Sequence, residues 1–203
     1  MPTPPAPLED ARLVRQVLRG KREAFGVLVE RYQKPIFNFI YRFYGNYELA
    51  QELTQETFLR SYQFLKSYDQ GRKFSTWLYT VARNLCIDEL KKRRSAREVC
   101  LDDVLPAVDA KHAEGEGESD QQADCIRRED EFKLLEALQE LPPAARTVLL
   151  LHYFQGLSYQ EIGEALSLPV STVKIRIFRA KKALLEQWKE LGGEGEAPGL
   201  GDR

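Results

Sequence analysis

Few folds accommodate residues 158–185. Ser158-Tyr159-Gln160-Glu161 is a capping box, in which a hydroxyl and a carboxylate satisfy orphan backbone donors at a helix start, so a helix begins at about Tyr159. It carries Ile162, Ala165 and Leu166 inward and gives way at Ser167-Leu168-Pro169 to a short turn. A second helix starts near Val170 or Ser171, because proline is tolerated at a first turn but not inside a helix. On it Val173, Ile177, Ala180 and Leu184 fall on one face, and no acidic residue stands between Val170 and Leu185. Lone charges usually mean a solvated face. Here a capped helix, a short turn and a cationic helix coincide, which is a helix-turn-helix suited to duplex DNA. Such a helix enters the major groove by its N-terminal residues. Ser171, Thr172, Lys174, Ile175 and Arg176 are therefore the base-proximal candidates, with Arg179 and Lys182 adding charge that phosphates require.

The rest of the chain predicts an all-α fold. From residue 8 to about 96, apolar residues recur every three or four positions, as in Leu13, Val17, Phe25, Leu28, Val29 and Tyr32. Gly20 separates two helices, and Pro35 is expected to kink or break the second, which resumes to Gly45. Asn46 is a plausible N-cap for a helix turning Leu49, Leu53, Phe58 and Leu65 inward and leaving Glu48, Glu52, Gln55 and Glu56 outside. After a loop at 67–73, Ser75 is positioned to cap a helix through Trp77, Leu78, Val81, Leu85 and Leu90 into Lys91, Lys92, Arg93 and Arg94.

The net charge of -1 hides a strong asymmetry, because residues 102–124 hold eight acidic residues against the single Lys111. That composition cannot bury a core, and it predicts a flexible acidic linker between two small helical domains. The expected divisions are a disordered lead-in at 1–7, a helical domain at 8–97, the linker at 98–128, the helix-turn-helix domain at 129–191 and a frayed, Gly-rich tail at 192–203.

Several function classes are disfavoured. Cys86, Cys100 and Cys125 have neither the pairing nor the spacing of a disulfide framework or a thiolate zinc site, which suits reduced thiols in a cytoplasm. No signal-like segment opens the sequence, and no run of ~18 apolar residues predicts membrane insertion. His112 falls in the acidic linker and His152 in an apolar helix, without a nucleophile or carboxylate constellation around either, so no catalysis, metal or cofactor is expected.

Aromatic residues and cations alternate in 62–94. Tyr62, Phe64, Tyr68, Phe74, Trp77 and Tyr79 precede Arg83, Asn84 and the 91–94 cluster, the pairing that single-stranded DNA uses, although several rings must also fill the core. The order of motifs is itself recognisable. GNYELAQELTQETF at 45–58, FSTWLYTVARN at 74–84, Leu141-Pro142, Thr172-Val173-Lys174 and Arg179-Ala180 together resemble the extracytoplasmic-function group of bacterial sigma factors, over about 25–94 and 141–185.

The resemblance implies a transcription initiation factor that binds core RNA polymerase, recognises promoter -10 and -35 elements and helps melt the DNA. Glu52, Leu53, Gln55 and Glu56 would dock on the polymerase clamp. Lys73, Phe74, Trp77, Arg83 and Asn84 would take the unpaired -10 strand, with Asn84 pairing with a base edge and Lys91, Lys92, Arg93 and Arg94 holding phosphates. The seven candidates of the second domain would read the -35 duplex. An anti-sigma factor is the implied inhibitor, and the linker would thread toward the active-site cleft. Ile175, Phe178 and Gly163 depart from common residues of the family, Gly163 at up to ~1 kcal/mol of helix propensity. A helix-turn-helix regulator that is not a polymerase subunit explains 141–188 equally, but not the 52–58 and 74–84 motifs.

Overall fold

A computed structural model describes residues 7–99, 121–193, 195 and 197–201; side chains are described from residue 9 to 95 and again from 129. The lead-in at 1–6, His112 and the middle of the acidic stretch lie outside the described residues. All regular elements among those described are helical.

Helices α1 (Pro7–Leu18), α2 (Glu23–Tyr44), α3 (Tyr47–Gln63) and α4 (Phe74–Val99) form the first unit. Gly20 adopts φ +95° between α1 and α2, and Gly45, at φ 69°, ends α2 by donating its N–H to the Tyr41 carbonyl. Asn46 caps α3, its side-chain oxygen accepting the Leu49 N–H at 2.7 Å. Asp10 is buried on α1 and joins it to α2, accepting hydrogen bonds from Arg31 and from the Tyr32 hydroxyl.

For this unit one expectation is narrowed, since of a kink or a break at Pro35 the break does not occur, and another is corrected. Pro35 does not break α2, which runs uninterrupted to Tyr44. Proline in a helix interior costs ~3 kcal/mol, but Ile36, Phe39, Ile40 and Phe43 immediately after it are fully buried. At ~1.5–3 kcal/mol for each large apolar side chain, their burial outweighs the lost hydrogen bond. Ser75 is not the cap of α4, which already begins at Phe74.

The second unit comprises α5 (Gln121–Glu140), α6 (Pro143–Leu149) continuing into a π-helical turn at Leu150–Phe154, α7 (Tyr159–Leu166) and α8 (Val170–Glu190). Helical backbone thus occupies 98–99 and 121–128 of the expected linker. The Gly-Glu run ends at residue 120, and the following stretch has no glycine or proline until 142 and closes an i,i+4 pair, Glu129 to Lys133, at 2.8 Å. The two units do not keep separate cores: Phe39, Phe43 and Tyr79 of the first belong to the same buried cluster as Leu138, Leu141, Leu149 and Trp188 of the second. Nor is the tail frayed throughout, since Ala197 and Leu200 are buried in that cluster.

Candidate nucleic-acid and protein interfaces

Helix α7 opens on a complete capping box. Ser158 Oγ accepts the Glu161 N–H, and the Glu161 carboxylate accepts the Ser158 N–H at 2.8 Å. Ser167, the single non-glycine residue with positive φ among those described (54°), ends α7, and the Leu168 N–H returns to the Gly163 carbonyl at 2.9 Å. This crossing explains Gly163: a Cβ there would lie 2.8 Å from the Leu168 carbonyl oxygen. The residue that weakens the helix lets the turn fold over it. Gly163→Val is expected to destabilise the second unit by about 2 kcal/mol or more, since it places two methyls against immovable backbone; thermal denaturation measures this, and an unchanged midpoint would contradict the close approach.

On α8 the inward face is Val173, Ile177, Ala180, Leu184 and Trp188, all buried. Ser171, Lys174, Ile175, Arg176, Arg179 and Lys182 are exposed, and Thr172 is half-buried. Six of the seven duplex candidates therefore face outward. Arg176 and Arg179 have no carboxylate partner among the described residues, while Lys182 has only a distant one, Glu186 at 4.0 Å. Phe178 shares this surface at 71% exposure. Its place four residues after Lys174 and three after Ile175 was the available signal for that orientation.

Helix α4 divides its candidates. Phe74 is 1% exposed and packs against Tyr68 at 5.6 Å and Tyr32 at 5.7 Å, so it is a core residue rather than a strand-stacking one. Trp77 is half-buried beside Tyr68 at 5.3 Å, and Asn84 is exposed seven residues further along the same stripe. Asn84 Oδ1 accepts a hydrogen bond from Arg83 at 2.9 Å, which fixes the amide orientation and leaves its NH2 outward-capable. Lys91, Lys92, Arg93 and Arg94 are exposed; Arg93 is held by Glu89 at 2.8 Å, and Lys91 and Lys92 make only 3.9 Å contacts. Lys73 is engaged across the fold with Glu161 at 2.7 Å. Partial burial works against the charge of Glu161, yet hydrogen bonds from Lys73 and Ser158 and the Lys73 charge hold its carboxyl below the usual range.

On α3, Glu52 and Gln55 are exposed, and Glu56 is half-buried in a pair with Arg60 at 2.7 Å. Leu53 is 6% exposed and belongs to the core, so it cannot belong to that face. The apolar residue that does is Leu59, 59% exposed and seven residues, about two helical turns, from Glu52. It went unnoticed because one apolar residue in a helix ordinarily signals core.

Between the units lies a polar seam. The Arg146 guanidinium is buried and donates to the carbonyls of Phe43, Gln139 and Leu141 and to Gln139 Oε1. Burial pushes its pKa down to about 10, so it remains a cation at neutral pH. The Tyr79 hydroxyl donates to Gln155, and Gln139 donates to the Arg42 carbonyl at 3.2 Å.

Residues 28–96 match the family description Sigma-70 region 2, and residues 131–184 match Sigma-70, region 4. The chain is 39% identical over 188 residues to the ECF RNA polymerase sigma factor SigW of Bacillus subtilis, covering 88% of this chain and 96% of that protein. It is 37% identical over 181 residues to the RNA polymerase sigma-H factor of Pseudomonas aeruginosa, covering 87% and 92%. Among solved structures, the fold is similar to the sigma factor RpoE of Bartonella quintana, co-crystallised with the anti-sigma factor NepR (TM-score 0.66, 22% identity, 81% of this chain and 96% of that one). It is also similar to CnrH, solved with the cytosolic domain of CnrY (TM-score 0.65, 24% identity, 90% and 98%).

Proposed function

Because the chain belongs to the extracytoplasmic-function sigma factors of the sigma-70 family, proteins that direct RNA polymerase to promoters, we propose how its surfaces divide that work. The observation that carries the assignment is the cationic, outward face of α8 behind a capped α7. This face reads the -35 duplex through Ser171, Lys174, Ile175 and Arg176 at base edges, with Arg179 and Lys182 on phosphates.

The first unit takes the -10 element. Asn84 presents an oriented amide, Trp77 a partly open ring, and Lys91 to Arg94 a cationic end for the backbone of the melted strand. Phe74 contributes indirectly, by fixing Tyr68 and Trp77. Melting needs no catalytic residue, because contacts to unstacked bases offset the few kcal/mol of unstacking. The action is recognition rather than catalysis and belongs in the cytoplasm, beside polymerase; an anti-sigma factor completes the set of partners. No helix among the described residues is long and apolar enough to cross a membrane.

Polymerase docks on the α3 face of Glu52, Gln55 and Glu56, with Leu59 in place of Leu53 as its apolar anchor. Covering an exposed leucine removes apolar surface from water, worth ~1.5–3 kcal/mol when burial is complete. In a pull-down with core polymerase, Leu59→Asp and the pair Gln55→Ala with Glu56→Lys should each weaken binding by about tenfold or more, an anchor's usual ~1.4 kcal/mol. Full retention in both would refute this face.

A further inference from the structure

The arrangement of the two units bears on when both promoter elements can be reached at once. Helix α7 lies against α4: Thr76 and Tyr79 are buried, the Thr80 hydroxyl reaches the Ala165 carbonyl at 3.4 Å, and Lys73 is tied to Glu161. Elements at -35 and -10 lie about 25 base pairs apart, or ~85 Å of duplex at 3.4 Å per pair. Units in mutual contact cannot occupy both, so this arrangement must open.

What holds it shut includes the C-terminal segment. At Gly193 the chain crosses the face of the buried Trp188, so closely that a Cβ would fall 2.1 Å from the ring, and the Gly193 N–H donates to the Trp188 carbonyl at 2.9 Å. Further on, a turn is closed by Leu200 N–H on the Ala197 carbonyl at 3.2 Å, with both side chains buried. Gly199, at φ +81°, lies against the Phe154 ring, where a Cβ would come within 2.9 Å. That same ring, on the π-helical turn, receives the Arg42 guanidinium of α2 at 4.8 Å from its centroid. Burial lowers the pKa of Arg42, and a cation stripped of water interacts more strongly with a ring. Tail, Phe154 and Arg42 thus form a continuous stack from the second unit into the first.

We propose that the described C-terminal residues, 192–193, 195 and 197–201, are a strap that braces Phe154 against Arg42 and so keeps the two units docked, in an arrangement that cannot reach both promoter elements, until a partner separates them. The docking is a property of the free chain. Only its consequence for promoter binding rests on assigning α4 to the -10 strand.

The test uses the full chain without DNA or polymerase, so its outcome is independent of that assignment. Leu200→Asp places a charge in the buried tail site, and Arg42→Ala removes the far end of the stack while leaving the tail's own contacts in place. Small-angle scattering reads the overall dimension of each variant against wild type. Both variants should expand the protein, with a larger radius of gyration than wild type, as a mostly closed population becomes mostly open. Their combination should add little, because either suffices to break the stack. Duplex binding by α8 reports whether the second unit remains folded. If Leu200→Asp proves to unfold it, Arg42→Ala decides alone. Wild-type dimensions in a folded variant would overturn the strap.

Discussion

Replacing Lys174 and Arg176 together by glutamate should cut affinity for a -35 duplex by about a hundredfold or more while leaving the fold intact. One bidentate base contact is worth ~1–3 kcal/mol, and a phosphate contact adds a salt-dependent increment, so reversing two charges on the reading face removes ~3 kcal/mol or more. Neither side chain is buried, Arg176 has no carboxylate partner among the described residues, and Lys174 touches only the Tyr159 ring, at 5.9 Å. The melting temperature should therefore change little. Fluorescence anisotropy across a salt series checks the prediction, with a shallower salt slope expected in the variant. Unchanged affinity would remove α8 as the duplex reader.

Arg146→Ala should be the most damaging single change to stability, by about 3–5 kcal/mol, because it leaves buried carbonyls of Phe43, Gln139 and Leu141 without donors and opens a void beside the Phe43 ring. A buried cation is not by itself stabilising against an apolar replacement. The cost here comes from acceptors positioned around a planar fork, so Arg146→Lys, with one compact charge and fewer directed donors, should recover only part of the loss. Urea denaturation followed by circular dichroism measures both variants. A change within ~0.5 kcal/mol of wild type, the range of an ordinary surface substitution, would show that the seam contributes little.

Much of the local structure was legible in the sequence. Asn46, Gly45, Ser158 with Glu161, and the 167–169 turn each act through backbone groups a few residues away, so residue type at fixed spacing was enough. Leu53 is more instructive. Its spacing from Leu49 put it inside, whereas family resemblance put it on the polymerase face, and the structure agrees with the spacing. A motif states which residues recur together but not which way each one points. Phe74 follows the same rule, an aromatic residue in a DNA-associated motif that supports the surface from beneath.

Long-range docking was not legible. The Arg146 bond to Phe43 spans 103 positions and Tyr79 to Gln155 spans 76, and neither pair leaves a local periodicity. Glycines in the tail were read as loss of order, which is their meaning in an isolated chain. At Gly193 and Gly199 they instead admit the backbone against aromatic rings where a side chain would not fit.

Transcription reconstituted from core polymerase, the purified chain and a genomic promoter library tests the central claim most directly. Specific start sites should appear only when the chain is present and should disappear with the Lys174 and Arg176 reversals. Transcripts with the same start-site distribution with and without the chain would contradict it.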